Sequence, residues 1–318
     1  MRSFAAFLLC LVAGLALYPA LIGMLARQRA GQRISGYGPA THLVKAGTPT
    51  MGGLLFCLLA AITWLLLDHS RAGFVVVFAV LAGGGLGLLD DLDNIRGRGA
   101  LGLLARQKLA LQALIGLLVG IGLHQTGLTR QVFPGLGAVD FGWGVLPLAT
   151  VAVMACSNAV NLTDGVDGLA AGCSVLTLSA TWALAVHVGN RPAAVLSAAL
   201  VGGLCAFLAY NWHPARVFMG DTGALALGSV VAVLAAELRL LWLLPLLGVV
   251  FLAETLSVII NVTAIRRYGV HVFRSSPIHH HFELLGLREQ ALVVRFAAVA
   301  GAGAALAVLV ALPMGAGS

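Results

Sequence analysis

Ten apolar runs, each roughly 15–24 residues long, follow one another along this chain and dictate what it can fold into. They lie near residues 4–25, 51–67, 73–89, 107–123, 144–157, 168–187, 193–211, 222–236, 241–264 and 291–312. A helix needs about 20 apolar residues to cross the hydrocarbon core of a bilayer. Of the 318 residues only 10% are charged and 60% are hydrophobic, with a mean hydropathy of +0.98. A soluble chain would carry about 25% charged residues. The expectation is an all-α polytopic membrane protein of about ten transmembrane helices, a single domain over 1–318. The first run has only Arg2 ahead of it and no small-residue cleavage site, and is read as a retained helix. Cys10, Cys57, Cys156, Cys173 and Cys205 all lie in or beside apolar runs without metal-ligand spacing, and read as small core residues.

Ten spans put both termini on one side and divide the loops into two sets. Fourteen of the nineteen lysines and arginines fall in the odd-numbered loops, and five in the termini and even-numbered loops. The positive-inside rule then makes the odd loops cytoplasmic and both termini external. The net charge of +7 reports membrane orientation, not nucleic-acid binding. Eight of the twelve carboxylates and six of the nine histidines also fall in the odd loops. Five inner loops carrying acids, bases and glycines suggest an enzyme with its active site on the cytoplasmic face. A transporter would more often place ionisable groups at mid-membrane; here only Glu254 lies well inside a span.

The richest loop is the third, Asn158-Ala-Val-Asn161-Leu-Thr-Asp164-Gly-Val-Asp167-Gly168. Its polar side chains recur every third residue and so share roughly one face of a helical turn. Two carboxylates and two carboxamides without a lysine or arginine among them call for a metal or a donor-rich ligand. A plain inter-helix turn capped by Asn and Asp is the alternative. Loop one ends in Lys45-Ala-Gly-Thr-Pro-Thr50-Met-Gly-Gly53, which suits phosphate contacts or simply opens a helix. Loop two begins with Asp90-Asp91; adjacent helical residues point about 100° apart, so one carboxylate can face the chemistry while the other supports it. Arg106-Gln-Lys108 at the next helix start reads as an anion contact or, more simply, a membrane anchor. Loop four, Phe218-Met-Gly-Asp221-Thr-Gly223, sets one aspartate at a helix N-terminus as a metal ligand or cap, with Asn211 closing the span before it. Loop five holds Arg274-Ser-Ser-Pro-Ile-His279-His280-His281-Phe-Glu283. Three successive histidines cannot face one point from a helix, which favours phosphate contact and proton handling over a zinc site.

Together these five motifs resemble the bacterial phospho-N-acetylmuramoyl-pentapeptide transferases, of the polyprenyl-phosphate N-acetylhexosamine-1-phosphate transferase superfamily. The resemblance runs from Gly31 to about Phe296, and His279-His280-His281 before Phe-Glu is its most discriminating part. It implies attack of undecaprenyl phosphate on the β-phosphate of UDP-MurNAc-pentapeptide, giving lipid I and UMP, at the bacterial inner membrane. It also implies Mg²⁺ and a homodimer. Carried over by position, Asp221 and Asn161 would hold the metal, Asp90 would act on the lipid phosphate as base or nucleophile, and Asp91 would support it. Asp164, Asp167, Asn211 and Phe218 would line the nucleotide side with Lys45 and Thr50 nearby, and His279, His280 and His281 would meet phosphates or sugar. Two positions depart from the family pattern: Leu92-Asp93-Asn94 replaces Tyr-x-Lys, and Asn261 stands where glutamine is expected. A UDP-GlcNAc enzyme of the same superfamily is the nearer alternative, and a permease using Glu254 and the histidines the remoter one.

Overall fold

The computed structural model describes residues 1–27, 47–96 and 103–314. Its helices are α1 (Arg2–Arg27), α2 (Gly53–Leu67), α3 (Arg71–Arg96), α4 (Ala105–Gln125), α5 (Val145–Thr163), α6 (Leu169–His187), α7 (Arg191–Asn211), α8 (Gly220–Glu237), α9 (Leu244–Leu247), α10 (Val249–Tyr268), α11 (Ile278–Leu284) and α12 (Glu289–Ala311). All ten apolar runs are helical. Among the described residues nine helices are long and apolar enough to cross a membrane. The tenth run, α2, has 15 residues, about 22 Å at 1.5 Å per residue.

Contacts sort the helix ends into two sets. At one end Tyr18, late in α1, donates to the Gly52 carbonyl before α2 at 3.2 Å. At that same end Asp91 of α3 meets the start of α8, and Asn211, closing α7, accepts from Gly168 before α6. At the opposite end Arg191, opening α7, donates to the Leu67 carbonyl closing α2 at 3.0 Å. There too His187 Nε2 lies 3.2 Å from the Leu312 carbonyl after α12. Successive helices therefore alternate in direction, short α2 included, and every motif loop that is described falls at one end of the bundle.

Two features depart from the all-helical reading. Between α4 and α5 lies an antiparallel hairpin, β1 (Arg130–Phe133) and β2 (Gly137–Asp140), with Arg130 opposite Asp140 and Phe133 opposite Gly137. Pro134 and Gly135 supply the turn, and Trp242 Nε1 ties the hairpin down by donating to the Val132 carbonyl at 2.6 Å. The run at 241–264 is also not one span. A 3₁₀ turn at Leu241–Leu243 and short α9 end at Gly248, where α10 begins afresh. A carbonyl freed by such a break needs a partner inside lipid; Leu247 finds one in Thr177 Oγ1 of α6, at 2.7 Å.

At the centre stands α8, whose residues from Thr222 to Glu237 are all buried. It packs against α2, α3 and α5. Close approach depends on small residues, which let backbones meet where lipid offers no hydrophobic drive between helices. A Cβ on Gly87 of α3 would lie 2.1 Å from the Asp221 carbonyl, so only glycine admits that crossing. One turn further on, α3 delivers Asp90 and Asp91 to the first turn of α8.

Candidate active site

The site grows from the N-terminus of α8. A helix leaves its first backbone N–H groups without partners, and their dipoles favour an anion. No side chain of α8 caps them. Asp91 does so from α3: Oδ1 accepts from the Asp221 N–H at 3.1 Å, and Oδ2 accepts from the Thr222 N–H at 3.0 Å and its hydroxyl at 2.6 Å. Gly220, at φ +72°, makes room, since a Cβ there would lie 2.6 Å from Asp91 Oδ2 and 2.7 Å from Thr50 Oγ1. Loop one is latched to the same turn by main-chain bonds: Gly52 N–H to the Phe218 carbonyl (2.8 Å), Gly53 N–H to that of Met219 (3.0 Å), and Phe218 N–H to that of Pro49 (2.8 Å). Thr50 is buried and Phe218 half-buried in this latch.

Asp90, its neighbour, turns the other way. Its Oδ1 accepts from the Leu103 N–H at 2.7 Å, and its Oδ2 is 3.0 Å from Lys108 Nζ. Lys108 also makes a direct ion pair with Asp221, so one ammonium bridges the carboxylates of α3 and α8. Asn161 Nδ2 donates to the remaining Asp221 oxygen at 2.7 Å. Asp221 keeps 25% of its side chain exposed, against 6% for Asp90, so the group opens outward on the α8 side.

Asn158 lies deeper and is spent on structure: Nδ2 donates to Gln112 Oε1 and the Met154 carbonyl, both at 2.7 Å. Asp164 ends α5. Burial, with Asp221, Asp91 and Asp167 nearby, pushes its carboxyl well above the usual carboxylate range. Asn211 clamps the third loop to the fourth, accepting from Gly168 N–H at 2.9 Å and donating to the Val217 carbonyl at 2.8 Å. Both ends of its amide are thus engaged within the protein. Asp167 accepts from the Ala215 N–H at 3.1 Å and stands 3.1 Å from His213 Nδ1, which is also 3.1 Å from Glu289 of α12. The ligand atoms of Asp167, His213 and Glu289 lie within 4.8 Å of one another, close enough to hold a metal ion.

The three histidines of α11 point three ways. His279 is buried, its ring against Gly165 and its Nδ1 3.2 Å from Glu254, which also accepts from the His279 N–H at 3.4 Å. His280 Nδ1 pairs with Glu283 at 2.6 Å, and His281 Nδ1 accepts from the Arg274 N–H at 3.1 Å. Asn261 accepts from the Val272 and Phe273 N–H groups, at 3.0 and 3.1 Å, and so ties the fifth loop to α10. Asn94 is exposed, and Lys45 lies outside the described residues.

Asp90, Asp91, Asn161, Asp164, Asp221 and Thr50 thus gather around the first turn of α8, with His279 beside the third loop. Sequence reasoning undervalued Lys108, read as an anion contact or, more simply, a membrane anchor, and did not name Thr222, His213 or Glu289 as site residues. Arg106 is exposed while Lys108 faces the carboxylates, two residues and about 200° further round the helix. The two acid groups also differ in kind. Asp90, Asp221 and Asn161 supply only oxygen acceptors and amide, the donor set that suits a hard ion such as Mg²⁺. Asp167, His213 and Glu289 include an imidazole, which suits softer metals.

An alternating bundle of lipid-spanning length, with buried acids, an ammonium and histidines at one end, defines an integral membrane enzyme. The profile of glycosyl transferase family 4 matches residues 73–239, and signature 1 of phospho-N-acetylmuramoyl-pentapeptide-transferase matches residues 45–57, the latched loop. Relatives of that name cover nearly the whole chain. That of Thermoanaerobacter sp. (strain X514) is 39% identical over 298 residues, 93% of each chain. That of Moorella thermoacetica is 43% identical over 303 residues, 92% of this chain and 93% of its own. That of Halalkalibacterium halodurans is 41% identical over 287 residues, 88% of each. The chain belongs to the phospho-N-acetylmuramoyl-pentapeptide-transferase family, and is a phospho-sugar transferase.

Proposed function

We propose that the chain transfers phospho-MurNAc-pentapeptide from its UDP conjugate to undecaprenyl phosphate, giving lipid I and UMP for peptidoglycan synthesis at the bacterial inner membrane. Family membership supports the reaction; the observation that carries its placement is the Asp90–Lys108–Asp221–Asn161 group at the α8 N-terminus. The acceptor phosphate and the donor diphosphate must meet although both are anions. At about 4 Å, two like unit charges repel by about 4 kcal/mol at an effective dielectric near 20. Mg²⁺ held by Asp221 and Asn161 would offset that repulsion and stabilise the leaving UMP as a Lewis acid.

The chain's own residues supply the rest. Asp90 meets the lipid phosphate as general base or nucleophile, already oriented by Leu103 and Lys108. Lys108 keeps the two carboxylates together in the free enzyme and becomes a phosphate partner when substrate arrives. Asp91 positions Asp221 by capping α8 and touches no substrate. Asp167 and Phe218 face the nucleotide with Thr50 beside them, a role the family resemblance extends to Lys45, and Asn211 keeps the third and fourth loops in register for it. His280, with His281 and the buried His279 behind it, reaches the phosphates and the sugar. The motif loops face the cytoplasm, and the chain works as a homodimer, as the family resemblance implies.

The test is a donor comparison: purified protein with Mg²⁺, undecaprenyl phosphate and either UDP-MurNAc-pentapeptide or UDP-GlcNAc, measuring UMP and lipid product. The pentapeptide donor is expected to turn over and UDP-GlcNAc to be rejected, because polar groups built for a larger donor go unpaired with a smaller one. Equal kcat/KM for both donors overturns the lipid I assignment. Labelling of a cysteine at Ser275 from outside intact cells overturns the orientation.

A further inference from the structure

The opposite end of the bundle holds an acid that the transferase reaction does not use. Glu237 closes α8, is 2% exposed, and neither carboxylate oxygen has a hydrogen-bond partner among the described residues. Its position is unfavourable on every count. A carboxylate at a helix C-terminus faces the negative end of the dipole, and Asp68 adds a like charge nearby. An unpaired buried carboxylate is costly and demands an explanation.

Beside it is a cavity of about 210 Å³, walled by the ends of α6, α7, α8 and α12 and by the hairpin. Its lining is apolar (Leu184, Val188 and Leu240 among others) except for Glu237, Asn190 and Arg239. Asn190 is already engaged, capping α7 through Ala193 N–H at 3.0 Å and donating to the Glu237 carbonyl at 3.3 Å. Arg239 reaches the cavity but makes no ion pair with Glu237 among the described residues. The cavity therefore offers an unpartnered carboxyl, a cation within the same small space, and apolar walls. It also sits at the last turns of membrane-spanning helices, the depth of lipid headgroups.

We propose that this cavity binds one phospholipid with a primary-ammonium headgroup, its ammonium on Glu237 and its phosphate on Arg239. A primary ammonium brings three donors to two unsatisfied acceptors. A quaternary ammonium brings none, and an anionic headgroup lacking an amine would leave Glu237 unmatched. Arg and phosphate form charge-assisted hydrogen bonds that fix the second half of the headgroup.

The full-length protein, purified from membranes, is passed into nanodiscs of phosphatidylglycerol mixed with phosphatidylethanolamine or with phosphatidylcholine of matched chains. Retained lipid is then counted by native mass spectrometry. One phosphatidylethanolamine is expected to stay bound, at least tenfold over phosphatidylcholine, with the preference lost in Glu237→Gln and reduced in Arg239→Gln. Transferase turnover in detergent stays at the wild-type level in both variants. Equal retention of the two lipids, or a preference unchanged by Glu237→Gln, overturns the site, since a merely protonated or Arg239-paired Glu237 behaves in that way. Should Glu237→Gln not fold, the same comparison on Arg239→Gln and on N,N-dimethylated phosphatidylethanolamine, which keeps a single N–H donor, with wild-type protein decides it: undiminished retention in both overturns the proposal.

Discussion

Replacing Asp91 by Asn separates the two adjacent aspartates by what each one does. Asp91 accepts three hydrogen bonds at the start of α8, from Asp221 N–H, Thr222 N–H and the Thr222 hydroxyl. An amide has one acceptor oxygen. If that oxygen keeps the two bonds from Thr222, the NH₂ group is driven against the Asp221 N–H and that bond is lost. A hydrogen bond to a charged group contributes about 1.5–3 kcal/mol, and an anion at a helix N-terminus about 0.3–2 kcal/mol more. Asp91 is 6% exposed, so little of this is recovered from water. The expected loss is about 2–5 kcal/mol, on the order of 5 °C or more in melting temperature. Asp90→Asn is the control. Its oxygen can still accept from Leu103 N–H, and only the Lys108 charge pairing is weakened, so its melting temperature stays within about 2 °C while turnover is abolished. The assay is thermal unfolding in detergent followed by intrinsic fluorescence, beside UMP release. An Asp91→Asn protein as stable as wild type, or an Asp90→Asn protein equally destabilised, refutes the division of labour.

Lys108→Met leaves Asp90 and Asp221 without their shared cation: turnover falls at least 100-fold, and the melting temperature drops in metal-free buffer and recovers in saturating Mg²⁺. An unchanged melting temperature without metal speaks against the bridge. Gly87→Ala forces a methyl onto the Asp221 carbonyl 2.1 Å away, so α3 and α8 separate and turnover falls at least tenfold, with KM for donor and acceptor both affected. Wild-type kinetics would show that the crossing is looser than drawn. The raised carboxyl of Asp164 makes the free protein hold a proton there that the unfolded chain has already lost, so this group's contribution to stability declines as pH rises through its folded pKa. A divalent cation nearby drives that proton off. Apparent Mg²⁺ affinity therefore strengthens as pH rises above the ordinary carboxylate range, with proton release detectable by calorimetry in buffers of different ionisation enthalpy; Asp164→Asn flattens the dependence, and equal release in both proteins refutes it.

Much of this was legible in the sequence because lipid reduces the choice of backbone to very few forms. All ten apolar runs are helical and nine of them hold a helix long and apolar enough to cross a membrane, and the third-residue spacing from Asn158 to Asp167 did bring Asn161 and Asp164 to the α8 turn. The hairpin was not legible: four-residue strands between two apolar runs carry little periodicity, and the Pro134-Gly135 turn was the one available signal. The break at Gly248 was hidden for a related reason, since Pro245 and Gly248 punctuate a run whose average hydropathy never falls. Lys108 was ambiguous because a basic residue at a helix start anchors or acts according to which side of the helix faces the bundle. Only the neighbours in space settle that. His213 and Glu289 join Asp167 from 46 and 122 residues away in sequence, a meeting that no local pattern encodes.

The burial of α8 has a consequence for biogenesis. It is the least apolar of the nine long helices and the most enclosed, so it gains least from lipid and most from protein. Every helix it leans on most heavily, α2, α3 and α5, precedes it in the chain. During synthesis the helices of its berth therefore leave the ribosome before it does, and Asp91 has no α8 turn to cap until it docks. A nascent chain halted before Gly220 would carry Asp90 and Lys108 paired with each other but without Asp221, and Asp91 without the N–H groups it caps, inert until the eighth helix arrives.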